Sequence, residues 1–304
     1  MPELPEVQTT VNGINKYVKG LSIKEIWTSY GSDYHKGKDN IKDRKFLEKF
    51  IKGVLNKKII KATRRAKNIL IELSSGGVIL IHLKMTGHLL YGDYEFKKED
   101  KKDPWKGLSP KGLRDPFNRH IRLVFTLSSG KHLALSDMRR FAKVTYIEKE
   151  EINNTLHLKD TGPEPLENSF DLNQFKEVLS RKPRGKIKQI LMDPSVIAGI
   201  GNIYSDEILW RSKIHPERKV MDIKAKEFEN MFDAMKSTLK KGIDFGGDSM
   251  SDYRNILGEK GKFQEEHQAY RRTGKHCPMR GCSGTIIRKK VGGRSAHFCD
   301  THQK

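Results

Sequence analysis

Long apolar runs are missing from this 304-residue sequence. None approaches the roughly 20 residues that a helix needs to cross a bilayer. The first residues, Met1-Pro2-Glu3-Leu4-Pro5-Glu6, are acidic and proline-bearing, which excludes a secretory signal. Cysteine is scarce: Cys277, Cys282 and Cys299 are the only three, all within the last thirty residues. An odd, clustered set cannot build a disulfide framework and points instead to a metal site in a reducing, cytoplasmic compartment. Acidic residues are also in short supply, 38 against 59 Lys and Arg, which leaves a formal net charge of +21. Such an excess concerns partners rather than fold, and it favours nucleic acid over an anionic membrane surface.

What is present is enough for two domains. Val7, Val11, Ile14 and Val18 recur at helical spacing behind Pro5, a residue suited to a first helical turn. Residues 68–73 and 78–83 flank Ser74-Ser75-Gly76-Gly77, and residues 120–125 and 133–135 flank Ser128-Ser129-Gly130. Both read as hairpins, and short strands at this spacing suggest a sandwich or barrel. Residues 97–118, rich in Lys, Asp, Pro and Gly, read as a surface loop or insertion. Near Lys159-Asp160-Thr161-Gly162-Pro163 strands give way to helices, expected near 171–181, 184–192, 202–210 and 222–241. The expected division is a first domain over 1–150, a linker over 151–165, a second domain over 166–262 and a terminal segment over 263–304.

Cys277-x4-Cys282 and Cys299-x2-His302 are two close ligand pairs joined by sixteen residues that contain Gly292-Gly293. That spacing suits one structural Zn²⁺ in a tetrahedral Cys₃His site. A hairpin so short has little core, so the metal would supply its folding energy. His276 and His297 are adjacent alternatives to His302.

Four stretches, in order along the chain, resemble the bacterial formamidopyrimidine-DNA glycosylases. These are Pro2-Glu3-Leu4-Pro5-Glu6-Val7, Ser136-Asp137-Met138-Arg139-Arg140-Phe141, Gly199-Ile200-Gly201-Asn202-Ile203-Tyr204-x-x-Glu207, and Val291-Gly292-Gly293-Arg294-Ser295-x-His297-Phe298-Cys299. The sequence departs from the family in its x4 first cysteine pair, in His302 where Cys is usual, and in a longer loop before Asn118. The resemblance implies an α+β chain of two domains: an N-terminal β-sandwich with flanking helices, then a helical helix–two-turn–helix domain carrying a β-hairpin zinc finger. It also implies excision of oxidised purines, 8-oxoguanine and formamidopyrimidines, from double-stranded DNA by a monomeric glycosylase/lyase.

The chemistry at the N-terminus follows. Once Met1 is removed, Pro2 presents a secondary amine whose reference pKa, about 7.7–8.0, leaves an appreciable neutral fraction. The positive end of the helix behind it favours that neutral form. Attack at the sugar C1′ expels the base. The resulting iminium has no proton to lose from nitrogen, so it acidifies C2′ and permits β- and then δ-elimination. Glu3 stands beside the nucleophile for proton transfer, with Glu6 as a second carboxylate on the same turn. The resemblance counts Lys67 with Pro2 and Glu3 as a catalytic residue, in contact with the damaged base and flanking phosphate, and assigns Lys188 to handling of the lesion within the DNA-binding set; alone, each would be a solvated lysine.

An enzyme acting at C1′ must extrude the nucleotide and fill the gap. Met85 resembles the family's wedge, and Arg139 with Phe141 resembles the pair that faces the orphaned base. Asn202 is placed to cap a helix whose free N–H groups suit a phosphate. Arg294 would hold phosphates near the lesion, and Arg140, His120 and Arg122 are further phosphate candidates. The glycine-rich stretch from Gly246 to Phe263 would cover the flipped purine. Two other functions compete. An endonuclease VIII-type enzyme for oxidised pyrimidines usually begins Pro-Glu-Gly-Pro, whereas this chain has Leu4. A non-catalytic zinc-finger DNA-binding protein would leave Pro2, Glu3 and Lys67 without a role.

Overall fold

The helical spacing behind Pro5 yields helix α1, Leu4–Tyr17, which buries Val7, Val11 and Ile14. In the structure, a computed structural model describing residues 1–155, 158–250 and 252–304, Glu3 is the N-cap of α1 and Pro5 lies in its first turn. An N–H missing there costs no helical hydrogen bond. Strand β1 (Ile23–Thr28), helix α2 (Arg44–Val54) and strands β2 (Ile59–Arg65), β3 (Asn68–Leu73), β4 (Val78–His82), β5 (His88–Phe96), β6 (Trp105–Ser109), β7 (Ile121–Leu127), β8 (His132–Ser136) and β9 (Lys143–Ile147) follow. They form two sheets, ordered β1-β7-β8-β5-β6 and β2-β3-β4-β9. Ile69, Ile71, Ile79 and Ile81 from one sheet share a core with Leu89, Leu123, Phe125 and Leu135 from the other. Each such side chain contributes roughly 1.5–3 kcal/mol on burial, and the result is the expected sandwich. The chain changes sheets between β1 and β2, between β4 and β5 and between β8 and β9. The last two crossovers leave from the same rim, because His88 pairs with Ser136 at one sheet's end and His82 pairs with Lys143 at the other's.

Two expectations change. Residues 97–118 are not simply a surface loop: they contain β6, and Trp105 and Leu113 are buried with Leu90, Tyr94, Ile121 and Val124 on the far face of the five-stranded sheet. Likewise Gly246–Lys262, expected with the helical domain, forms one compact unit with Met1–Lys159. The reason is packing, since Ile256 is buried in the sandwich core and Leu257 lies against it. Leu156 and His157 of the expected linker, and Ser251 of the glycine-rich stretch, lie outside the described residues.

The second unit, Asp160–Phe245 with Phe263–Lys304, holds helices α3 (Leu172–Ser180), α4 (Ile187–Leu191), α5 (Asn202–Ser212) and α6 (Ala225–Asp244), then strands β10 (Ile287–Val291) and β11 (Arg294–Phe298). Phe228, Met231, Met235 and Leu239 form the buried stripe of α6. Gly292-Gly293 turns β10 into β11 with φ of 56° and 81°. Two successive positive φ angles make the tight hairpin turn that glycine accepts without strain. No helix of the described residues is long and apolar enough to cross a membrane.

Candidate functional site

Pro2 and Glu3 are buried at the head of α1, while Met1 is exposed. Glu6 is buried too, and its carboxylate is engaged on both oxygens. Oε2 accepts from the Glu3 N–H at 2.7 Å and Oε1 from the Asp248 N–H at 2.8 Å. A carboxylate so held fixes the start of α1 next to Pro2 and ties Asp248 to it.

The rim where the sheets exchange strands gathers most of the sandwich's candidates. Lys67 occupies the two-residue turn between β2 and β3, half-buried. Nearby, burial holds the His82 imidazole neutral, its pKa pushed down to about 3, with the charges of Lys84, Lys67 and Lys143 adding to the effect. Three ammonium groups around one neutral imidazole mark a strongly positive end of the sheet, suited to phosphate. Met85 follows Lys84 and is 42% exposed; across the rim Met138 and Phe141 are 50% and 47% exposed. Large apolar side chains left in water on adjoining turns are a cost to a free protein and an asset to one that wedges base steps apart.

The two turns are joined by Asp137, which is fully buried. Its Oδ1 accepts from the Thr86 hydroxyl at 2.5 Å and its Oδ2 from the Ala142 N–H at 2.8 Å, while the Arg139 N–H donates to Thr86 Oγ1 at 3.1 Å. Arg139 projects from this bracket with its guanidinium 4.6 Å above the Phe141 ring. Arg140 adopts a φ of 57° and donates to Ser29 Oγ. Arg122 donates to the Asp137 carbonyl. Half-buried His120 lies 3.9 Å from Asp103 of the insertion, and burial holds its pKa below the usual histidine range.

In the second unit Gly201, not Asn202, caps α5. Gly201 has the extended backbone of a cap, and Asn202 is the first helical residue. The Asn202 side-chain oxygen is buried without a partner. The residue lines a recess of about 460 Å³ together with Tyr270, Arg271, Arg288, Arg294, Ser295 and His297. Lys188 lies elsewhere: it is buried, with its ammonium 2.5 Å from Asp206 and 3.1 Å from Ser205 Oγ. An ammonium taken out of water needs such a partner, so Lys188 presents no free charge to DNA. Asp206 also accepts from the His297 N–H and meets His297 Nδ1, each at 2.9 Å, pinning β11 to α5. Glu207 accepts the N–H groups of Gln268, Ala269 and Tyr270, which accounts for the glutamate in the Gly199–Glu207 motif.

Cys277, Cys282, Cys299 and His302 place their ligand atoms within 4.8 Å of one another. The Sγ atoms of Cys282 and Cys299 are 3.7 Å apart, and sulfurs bound at 2.3 Å around a tetrahedral ion lie about 3.8 Å apart. His302 Nε2 lies 3.2 Å from the Trp210 carbonyl of α5, and Nδ1 lies 3.3 Å from Cys277 Sγ. Donation from Nε2–H leaves Nδ1 unprotonated for a metal. A Cβ on Gly284 would lie 2.6 Å from Cys299 Sγ, so that cradle admits only glycine. These residues fit structural zinc, and the open choice of fourth ligand resolves to His302 because its Nδ1 is the imidazole nitrogen that gathers with the three sulfurs. His302→Ala is expected to weaken zinc binding by more than about a hundredfold, since losing an outer partner alone costs 10–100-fold. Metal analysis and competitive chelation would measure it; full zinc in the variant would return the choice to His276.

Asp137, Thr86, Asp206 and Glu207 were not singled out from sequence for these bracing roles. Their partners are distant in the chain, and although Asp137 and Glu207 fall within quoted motifs, no local pattern shows which groups they bind. Comparison with known proteins completes the assignment. Residues 1–144 match the formamidopyrimidine-DNA glycosylase N-terminal domain and residues 161–254 the formamidopyrimidine-DNA glycosylase H2TH domain. The formamidopyrimidine-DNA glycosylase of Pelotomaculum thermopropionicum is 34% identical over 100% of this chain and 99% of its own, and that of Desulforamulus reducens is 33% identical at the same coverage. Among solved structures, the Lactococcus lactis Fpg in complex with abasic-site DNA is 30% identical with a TM-score of 0.81, covering 99% of both chains. A variant of that protein with Fapy-dG-containing DNA also scores 0.81, over 100% of both. A chain matched so fully, in both domains and over its whole length, belongs to the formamidopyrimidine-DNA glycosylase family.

Proposed function

We propose that this protein is a base-excision repair enzyme that removes oxidised purines from duplex DNA and cleaves the abasic strand. The observation that carries this reading is the placement of Pro2 and Glu3 at the head of α1 in the unit whose rim exposes Met85, Arg139 and Phe141. Met85 and Phe141 fill the stack as the damaged nucleotide leaves it, and Arg139 faces the orphaned base. Pro2 nitrogen bonds to C1′, and the C1′–base bond breaks with its electron pair leaving on the base. The ring opens to an iminium, a base takes the C2′ proton, and the 3′ and then the 5′ phosphate depart. Glu3 moves protons at the opening sugar. Lys67 and His120 hold phosphate beside the lesion, with Arg140 and Arg122 in support.

In the second unit Asn202 and Arg294 hold phosphate, and zinc, when bound, stiffens the hairpin that presents Arg294. Lys188 acts as a brace through Asp206. The bacterial relatives support action in the bacterial cytoplasm, on the nucleoid, and the active form in this reading is a monomer. The test is direct: a duplex with one 8-oxoguanine opposite C should yield free base and a strand gap ending in phosphate on both sides. An enzyme that cuts oxidised pyrimidines and leaves 8-oxoguanine intact would overturn the purine assignment.

A further inference from the structure

The insertion ends on a group of residues that grips the glycine-rich segment. Arg254 is 1% exposed. Its Nε donates to Asp115 Oδ2 at 2.9 Å, its Nη1 donates to the Tyr253 carbonyl at 2.9 Å, and its guanidinium lies 4.7 Å over the Phe117 ring. A buried guanidinium gains a charge partner and a ring to lie on from two residues of the insertion. Asn118, also buried, uses its whole amide. Nδ2 donates to the carbonyls of Gly112 and Gly258, at 2.8 and 3.1 Å, and Oδ1 meets His88 Nε2 at 2.8 Å.

The two backbones touch where these side chains converge. A Cβ on Gly112 would lie 2.4 Å from the Leu257 carbonyl oxygen, and one on Gly258 would lie 2.5 Å from the Gly112 carbonyl carbon. Gly258 also carries a φ of 82°. Neither contact survives a side chain. On the other side of the segment the Tyr91 N–H of β5 donates to the Ile256 carbonyl at 2.6 Å. Arg254 to Gly258 is therefore docked, side chain and backbone, on Gly112–Asn118 and β5.

Resting on the reading above, in which the stretch from Gly246 covers the extruded purine, we infer that Asp115 and Asn118 are positioning residues that pre-organise that cover. They do so by holding Arg254 to Gly258. Neither touches the reacting sugar. Their effect falls on a lesion that still has its base and spares one that has none, because an abasic site offers nothing to cover. Pre-organisation of this kind lowers the ordering cost at binding.

Single-turnover rates on an 8-oxoguanine:C duplex and on an abasic:C duplex test this, with wild type, Asp115→Ala, Asn118→Ala and Gly112→Ala. Excision of 8-oxoguanine should fall roughly ten- to a hundredfold in Asp115→Ala, the scale of losing a hydrogen bond to a buried charged group. Abasic cleavage should stay within about twofold in the same variant, and Asp115→Glu should recover part of the excision rate. Amide exchange at 254–258 should rise in step with the loss. Gly112→Ala displaces the segment without touching the ion pair, so it gives the answer if Asp115→Ala does not fold. Equal losses on both substrates, or no loss on either, would overturn the inference. A wild type inactive on 8-oxoguanine would instead overturn the assigned function and is read separately.

Discussion

Borohydride added while the protein acts on an abasic duplex is expected to leave a covalent protein–DNA adduct, and peptide mapping should place it on the Pro2 nitrogen. The expectation rests on position. Pro2 lies just ahead of the Glu3 N-cap, and the Glu3 N–H is held by Glu6 at 2.7 Å, so the nitrogen is delivered at a fixed place at the positive end of α1. Met1 is exposed, open to the processing that frees that nitrogen. A protein that retains Met1 has an amide there with no lone pair to offer, and both base excision and strand cleavage should drop by roughly 10⁴-fold or more, the scale on which removing a nucleophile acts. Pro2→Gly restores an amine, but a primary one, and should trap with altered partition between β- and δ-elimination. Glu6→Gln should damage the rate less than Pro2 blockage, because Glu6 positions α1 and Asp248. An adduct on an internal lysine such as Lys67 would sink this mechanism.

Excision of 8-oxoguanine should also be much faster opposite C than opposite A, and Arg139→Ala should flatten the difference. The Arg139 backbone is fixed to Thr86 Oγ1 and its guanidinium is stacked on Phe141, so the donor fork reaches the vacated stack pre-oriented. A guanidinium only donates. It satisfies the acceptor-rich edge of cytosine but cannot accept from the N6 amino group of adenine. A mismatch of this kind is worth about 1–3 kcal/mol, or roughly ten- to a hundredfold in rate. Cleavage of a preformed abasic site should survive Arg139→Ala largely unchanged, because Pro2 and Glu3 are untouched. Arg140→Ala, whose side chain lies on Ser29 and Tyr30, should weaken both partners about equally. Rates measured under single-turnover conditions for C and A decide the matter, and equal wild-type rates would show that Arg139 does not read the partner base.

Elements whose signals are local were legible along the chain. Helical spacing after Pro5, hairpins around the Ser-Gly turns and the two close metal-ligand pairs each lie within a few residues, where periodicity and turn chemistry act directly. The net charge of +21 likewise needs no fold to suggest DNA. The rest depends on packing between distant segments. His302 rather than His297 completes the metal quartet because the fold brings its Nδ1, and not the imidazole of His297, among the three sulfurs. Asp206 holds Lys188 in the interior and so removes it from the DNA-facing set. Residues 97–118 form a strand and a docking platform, and Gly246–Lys262 joins the sandwich, through contacts such as Asp115 with Arg254 that span 139 positions. A buried charge must find a partner, and a polar group taken from water must be hydrogen-bonded. Which distant residue meets that demand depends on how the sheets and helices pack, and nothing in the neighbouring sequence encodes it.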